Sequence, residues 1–463
     1  MVVQRYTDAS IVTAAQPGTV PVAYRSLWLS TLIDGLGTGA TYAALPLIVA
    51  ASGGGPGQVS LVAAAGSLPV LVFSLPLGVL VDRADRRRLM RRAQCASAVL
   101  SALLAVIAGL GVVASAGGVA AVCLLQVGLG TAQIAFTNAG QSVLPALLAP
   151  AALPRANARL SIASTMSEAF LGPPLGSALF ALAVALPFGL DAVSFLGSAI
   201  LLGQLPPTPR DAPSDRSVRA DITEGLAWLW ASPRLRTLAL VLGANSFANQ
   251  LAGSTLVLLV TRSYHAAPAA FGLLTTAGAV GAMVGAVLAG RLLSTLVPGR
   301  VVIAVLGTTT AAYLLVGVAP NLLVLGALYA VIGAGVTVWN VATVTLRQTA
   351  VPPELFGRVN SVYRLLGWGL MPVGALAGGL VAAHLGLRAP FPVAGVVRAV
   401  ALVAALPVLL SWRSDDSPHL ARVTVDDDLQ APRVSLFASA RGTSSAQGCG
   451  VRRGGPGREP AAR

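Results

Sequence analysis

Two acidic residues stand deep inside long apolar stretches of this sequence. Asp34 lies in the first stretch, and Glu168 lies in the fifth and is the only glutamate within any of them. An acid at the centre of a membrane helix costs about 2.5 to 3.5 kcal/mol, so such residues usually face a cavity or a partner and often relay protons. Burial disfavours the ionised carboxylate, which would let Asp34 exchange a proton near neutral pH. The alternative is a structural hydrogen bond beside the helix-weakening Gly35.

A glycine and proline segment follows Glu168 closely. It reads Gly172-Pro173-Pro174-Leu175-Gly176. Proline inside a helix removes a backbone hydrogen bond and bends the helix, while glycine lets a neighbouring helix approach. The segment is compatible with a kinked packing helix and with a dedicated coupling element.

A dense charge cluster separates the second and third apolar stretches. Its candidate residues are Gly78, Asp82, Arg83, Arg86 and Arg87. Asp82 can accept hydrogen bonds from a helix N-terminus or pair with an arginine. The alternative role for the cluster is a topology anchor on anionic lipid headgroups.

Further polar side chains lie within apolar stretches and could contact a substrate. Each alone is more often a hydrogen-bonding contact between helices, so only the cluster predicts a binding surface. The candidates are Gln133, Asn138, Asn245, Asn249, Trp339 and Asn340. Arg398, in the last stretch, has no role that the sequence explains, and pairing with an acid is one hypothesis.

The elements that must position these residues are membrane helices. Hydrophobic residues make up 55% of the chain and charged residues 10%, which excludes an ordinary soluble domain. A helix needs about 20 apolar residues to cross a bilayer. The sequence predicts twelve such spans: 25–50, 58–80, 92–114, 118–148, 160–186, 188–205, 236–261, 268–293, 300–319, 322–346, 361–385 and 390–412.

The arginines are distributed unequally between the two sides of the predicted spans. Loops after odd-numbered spans carry only Arg262 and Arg388, and most of the others follow even-numbered spans. This positive-inside pattern places both termini in the cytoplasm. It also explains the net charge of +14 without nucleic acid as a partner. The chain contains no lysine, which excludes the usual phosphate-binding loop of ATP-driven transporters.

The spans divide the chain into five regions. The sequence predicts a cytoplasmic N-terminal segment (1–24), a six-helix bundle (25–205), a linker with a surface amphipathic helix (206–235), a second bundle (236–412) and a disordered cytoplasmic tail (413–463). Arg155-Ala-Asn157 and Arg358-Val-Asn360 occur at matching places in the two bundles. This correspondence indicates an internal duplication.

Several motifs resemble those of one transporter class. The segment from Gly78 to Arg87 resembles the loop 2-3 signature of the major facilitator superfamily, with Asp85 where that signature has glycine. Gly172 to Gly176 resembles the Gly-Pro-x-x-Gly motif of fifth helices in its antiporter branch. Ser30-Thr-Leu-Ile-Asp34-Gly35 and Asp191-Ala-Val-Ser-Phe195 resemble phrases of bacterial drug and siderophore exporters.

The resemblance implies a fold and a location for the site. The fold is an all-α membrane protein, with twelve transmembrane helices in two pseudo-symmetric six-helix bundles. The loop 2-3 motif would help to hold one face of the transporter shut. The first, fourth, seventh and tenth helices would line a central cavity, which makes their polar residues substrate candidates.

The leading hypothesis is a proton-coupled exporter of a drug-like or siderophore-like molecule in the bacterial cell membrane. Asp34 and Glu168 would exchange the protons, with the proton gradient as energy source and no cofactor, metal or enzyme activity. The expected partners are the small-molecule substrate, protons and the lipid bilayer, and we expect a monomer. A solute importer on the same fold and a non-transporting membrane sensor or scaffold are the alternatives.

Overall fold

The computed structural model describes residues 22–149, 152–206 and 218–411, and every regular element in these ranges is helical. The predicted tail, almost all of the N-terminal segment and part of the linker lie outside the described residues. Spans 1 to 6 form the first half. Their bounds are Val22–Ala51, Pro56–Arg83, Arg86–Gly109, Ala116–Leu147, Leu153–Leu182 in three pieces, and Leu186–Leu202.

Spans 7 to 12 form the second half, which a short surface helix, Val218–Ala231, precedes. Their bounds are Pro233–Ser263 in three pieces, Pro268–Thr295, Pro298–Val316, Leu322–Ala350, Pro353–Leu385 in two pieces, and Pro390–Leu410. Six of the elements in this half begin with a proline within the first two positions, where the missing N–H would have no helical partner.

Nine segments in the described ranges are individually long and apolar enough to cross a membrane. The remaining three predicted spans are broken or short. Span 5 contains a π-helical turn, Thr165–Leu171, and span 7 ends in another, Leu259–Ser263. Span 6 is an apolar helix of 17 residues. The twelve predicted spans therefore all correspond to helical segments, three of which do not meet the length and apolarity criteria as continuous helices.

The helix packing repeats between the halves. In the first half span 1 packs on spans 5 and 6, span 2 on span 4, and span 3 on spans 4 and 6. The five corresponding pairs of the second half pack in the same way: span 7 on spans 11 and 12, span 8 on span 10, and span 9 on spans 10 and 12. Between the halves, span 2 packs on span 11 and span 5 packs on span 8. Exchanging each span for its equivalent in the other half turns one of these contacts into the other. The packing thus has the predicted pseudo-twofold symmetry.

Span 3 begins earlier than predicted. The sequence assigned Arg83 to Arg92 to a loop, but the helix starts at Arg86 because Asp85 caps it, accepting a hydrogen bond from the Arg88 backbone N–H at 3.2 Å. Asp85 also pairs with the Arg88 side chain at 3.3 Å. Aspartate is among the best N-cap residues. Asp85, which stands where the loop 2-3 signature has glycine, therefore favours the start of a helix at this position.

The surface helix is attached to the second half. Leu229 is fully buried, and Trp228 packs against the same apolar cluster. Glu224 forms an ion pair with Arg358 at the beginning of span 11, and Gly225 lies against the Arg358 backbone. Trp230 remains exposed, so it is the tryptophan of this helix that can reach lipid headgroups.

Candidate substrate and proton site

Asp34 is buried within the first half, where amide side chains surround its carboxylate. Only 4% of the residue is exposed. Gln94 of span 3 donates from Nε2 to Oδ1 at 2.9 Å, and Gln133 of span 4 is a second hydrogen-bonding neighbour. Donors of this kind stabilise an ionised carboxylate, whereas burial favours the protonated one. The arrangement gives one carboxyl group two competing states.

Glu168 lies on the π-helical turn of span 5, beside span 1. π-Helical turns are rare in proteins, and many of those that occur lie at functional sites. Its carboxylate is close enough to Asp34 and to Tyr42 for electrostatic interaction, and the Ser164 hydroxyl lies 3.5 Å from Oε2. Glu168 and Tyr42 each have a large accessible surface, yet both lie in the interior of the helix bundle with protein on several sides. This combination is typical of a cavity wall.

Aromatic side chains of the second half lie close to this position. Tyr329 of span 10 lies near Tyr42 of span 1 and Tyr313 of span 9. Because Tyr42 belongs to the first half and the other two belong to the second, these side chains mark the centre between the halves.

Glycines bring spans 1 and 5 into backbone contact. A β-carbon on Gly39 would overlap the carbonyl oxygen of Glu168 and lie 3.0 Å from its Cα. A β-carbon on Gly172 would lie 2.6 Å from the Gly39 Cα, and one on Gly176 would overlap Ala40. The Gly-Pro-Pro-Leu-Gly segment therefore packs against span 1 directly beside Glu168.

We expect Gly39→Ala to destabilise the protein by about 1 to 3 kcal/mol, because the added methyl group overpacks a backbone contact. The thermal unfolding midpoint of the purified protein should fall by several degrees. Gly290→Ala is the matched control, since its β-carbon would meet open space within span 8. Equal midpoints for the two variants would contradict the close approach of spans 1 and 5.

Asp191 is a further buried acid of the first half, which the sequence analysis did not single out as a candidate. It is 1% exposed in span 6, and its Oδ2 accepts from the hydroxyls of Thr41 at 2.9 Å and Ser101 at 2.7 Å. Its Oδ1 is buried without a hydrogen-bond partner among the described residues. The signal that could have found Asp191 is the one used for Asp34, an acid within an apolar stretch.

The loop 2-3 residues are only partly described. Gly78, Asp82 and Arg83 lie in the last turns of span 2, and the side chains of Asp82 and Arg83 are outside the described residues. Arg86 donates to the Ser142 carbonyl at 3.4 Å, and Arg87 donates to the Gly203 carbonyl. These two arginines thus contact spans 4 and 6 of their own half.

The remaining polar candidates have different surroundings. Asn138 and Asn245 are half-buried, and Asn340 is exposed. Asn249 is exposed, and its Oδ1 accepts from the Tyr313 hydroxyl at 2.8 Å. Trp339 is 5% exposed within the apolar core of the second half. Of the six candidates, the structure places Gln133 against Asp34 and brings Asn249 next to the central tyrosines.

The halves contact each other at the side of the odd-numbered loops. Arg262, at the end of span 7, donates from Nη2 to the carbonyl of Gly54 at 2.8 Å and to that of Ala50 at 3.4 Å. A β-carbon on Gly379 of span 11 would overlap Ser60 of span 2. The halves are therefore in close contact on this side of the cavity.

Twelve helical spans in two matched halves around a polar centre define a secondary transporter of the major facilitator superfamily. A model of the family described as transmembrane secretion effector matches residues 17–440. The chain belongs to this family. It is a multi-pass membrane transporter and not an enzyme.

Named relatives agree with this membership. The chain is 30% identical over 401 residues to the multidrug efflux pump Tap of Mycolicibacterium fortuitum, covering 82% of this chain and 92% of that protein. It is 28% identical to the enterobactin exporter EntS of Citrobacter koseri, covering 74% and 80%. The crystal structure of the nucleoside transporter NupG matches with a TM-score of 0.67 at 12% identity, covering 83% and 99%, and shows a shared fold.

Proposed function

We propose that the protein is a proton-driven exporter of amphipathic small molecules in the bacterial plasma membrane. The observation that carries this proposal is the presence of two carboxyl groups, Asp34 and Glu168, within electrostatic range of each other where span 1 meets the π-helical turn of span 5. The printed names of two relatives, a multidrug efflux pump and an enterobactin exporter, support export as the direction.

The orientation follows from the charges. If the arginine-rich even-numbered loops face the cytoplasm, the contacts of Arg262 and Gly379 close the extracellular side. The cavity is then available from the cytoplasm, where an exporter collects its substrate. Rocking of the halves would open the odd-loop side and expose the same cavity outward.

Proton coupling requires a carboxyl group whose charge changes between these two states. In the state described here burial of Asp34 favours its protonated form, and hydrogen bonds from Gln94 and Gln133 favour the ionised one. Protonation from the acidic outside would remove the negative charge from the cavity and release the substrate. Deprotonation on the cytoplasmic side would restore the charged site for the next substrate, with Glu168 as the second proton-binding group.

The test uses inside-out vesicles from cells that produce the full-length protein, with ethidium and rhodamine 6G as probes. With an acidic lumen, dye should accumulate inside, by about tenfold per pH unit for each proton coupled, and a protonophore should abolish the accumulation. Dye-induced alkalinisation of the lumen should accompany it. Accumulation only in right-side-out vesicles would indicate an importer, and dye movement that ignores the gradient would contradict proton coupling.

A further inference from the structure

Arg398 of span 12 is buried among spans 9 and 12 without an acidic partner in the described part of the chain. Only 4% of the residue is exposed. Its Nη2 donates to the Thr309 hydroxyl at 2.6 Å, and its guanidinium carbon lies 5.0 Å from the centroid of the Tyr313 ring. The hypothesis that Arg398 pairs with an acid is therefore wrong for the described residues.

Burying a cation without a counter-ion in a membrane protein costs free energy. The Nε of Arg398 also lacks a hydrogen-bond partner among the described residues. The ring face of Tyr313 compensates part of this cost, because a cation–π contact is stronger when it is shielded from water. An apolar residue would join spans 9 and 12 at lower cost.

Tyr313 extends the contact towards the cavity. Its hydroxyl donates to Oδ1 of Asn249 on span 7 at 2.8 Å. Tyr313 is 3% exposed, whereas Asn249 is exposed. The carboxamide therefore directs its oxygen at Tyr313 and leaves its Nδ2 group, which has two N–H donors, available on the exposed side of the residue.

We propose that Arg398 is a positioning residue that acts through Tyr313 to fix the orientation of the Asn249 carboxamide. The cavity then presents an N–H donor and favours substrates with a carbonyl or ether oxygen as hydrogen-bond acceptor. This inference rests on the proposed function, because it specifies a substrate class for the same cavity.

The purely structural alternative is that Arg398 and Tyr313 only hold spans 9 and 12 together. The chain offers a matched control for that role. Arg388 lies 5.2 Å from the ring centroid of Tyr264, whose hydroxyl donates to the carbonyl of Ala319 at 2.7 Å. This second arginine and tyrosine pair, also within the second half, ends on a backbone carbonyl and not on a cavity side chain.

The experiment measures equilibrium binding of two dyes to the purified full-length protein and their transport in vesicles. Rhodamine 6G carries an ester carbonyl, and ethidium has no oxygen acceptor. Tyr313→Phe keeps the ring beneath Arg398 and removes only the hydroxyl. It should weaken binding of rhodamine 6G by about fivefold to tenfold, as expected for one hydrogen bond, raise its KM similarly and leave kcat and ethidium binding unchanged.

Two further variants complete the test. Asn249→Ala should reproduce the loss, and the double variant should lose no more than either single variant, because both remove one interaction. Tyr264→Phe should change neither dye. Equal weakening of both dyes by Tyr313→Phe, or equal effects of Tyr313→Phe and Tyr264→Phe, would overturn the proposal.

Arg398→Gln should lose rhodamine 6G selectivity, and Arg398→Lys should retain part of it. If Arg398→Gln does not insert, Tyr313→Phe still decides the question. Binding is measured without a gradient, so selective binding together with gradient-independent transport would count against the proposed proton coupling alone.

Discussion

Asp34→Asn is expected to abolish proton-coupled transport while leaving the folded protein in the membrane. Asparagine has nearly the same shape and can still hydrogen-bond to Gln94 and Gln133, but it cannot exchange a proton. In inside-out vesicles with a lumen one pH unit more acidic than the bath, dye accumulation should fall from about tenfold to none. Dye-induced alkalinisation of the lumen should disappear with it. Equilibrium dye binding to the purified variant shows whether the cavity remains intact.

Asp191→Asn is the matched control for Asp34→Asn. Asp191 is equally buried in the same half, but its partners are the hydroxyls of Thr41 and Ser101 and not glutamines. Its accumulation ratio should remain close to that of the unmodified protein. Full coupling in Asp34→Asn would remove Asp34 from the mechanism, and loss of coupling in Asp191→Asn alone would assign the proton to span 6.

The twelve spans could be predicted from the sequence because the length and apolarity that a membrane crossing requires are local properties. The matched halves were visible in the recurrence of Arg155-Ala-Asn157 and Arg358-Val-Asn360. The π-helical turns could not be predicted. Pro173 signals a bend, but the hydrogen-bond shift over Thr165–Leu171 depends on the packing against span 1.

The site was predictable in part. The cost of burying a carboxyl group identified Asp34 and Glu168, but their proximity depends on the close approach of spans 1 and 5 at Gly39 and Gly172. Asp191 obeys the same rule, although in the sequence analysis it enters only as part of the Asp191-Ala-Val-Ser-Phe195 phrase. The partners of Arg398 lie far along the chain, at Thr309 and Tyr313, beyond the reach of local patterns.

Arg262 was one of two exceptions to the charge asymmetry, and the structure shows what each exception contacts. Arg262 belongs to the second half and donates to carbonyls at the end of span 1, in the first half. The C-terminal end of a helix attracts a cation because its last carbonyls have no helical partner. These hydrogen bonds can exist only while the odd-loop side is closed.

We therefore expect Arg262→Gln to shift the protein towards the state that is open on the odd-loop side. Hydrogen bonds from a charged group contribute about 1.5 to 3 kcal/mol, and solvent exposure reduces this to about 1 kcal/mol. The population of the open state should rise about fivefold. Nitroxide labels at Ala51→Cys and Ala267→Cys, in a background without the native cysteines, report the change as a larger share of long distances.

Arg388→Gln is the control for Arg262→Gln. Arg388 lies on the same side and also donates to a helix-end carbonyl, that of Ala319 at 3.2 Å, but both groups belong to the second half. Arg388→Gln removes a similar hydrogen bond, but removes it from both states of the transporter. The distance distribution should therefore stay unchanged. A ligand or contact shifts an equilibrium only by the difference between its free energies in the two states. Identical distributions for Arg262→Gln and the unmodified protein would show that other contacts between the halves hold the odd-loop side closed.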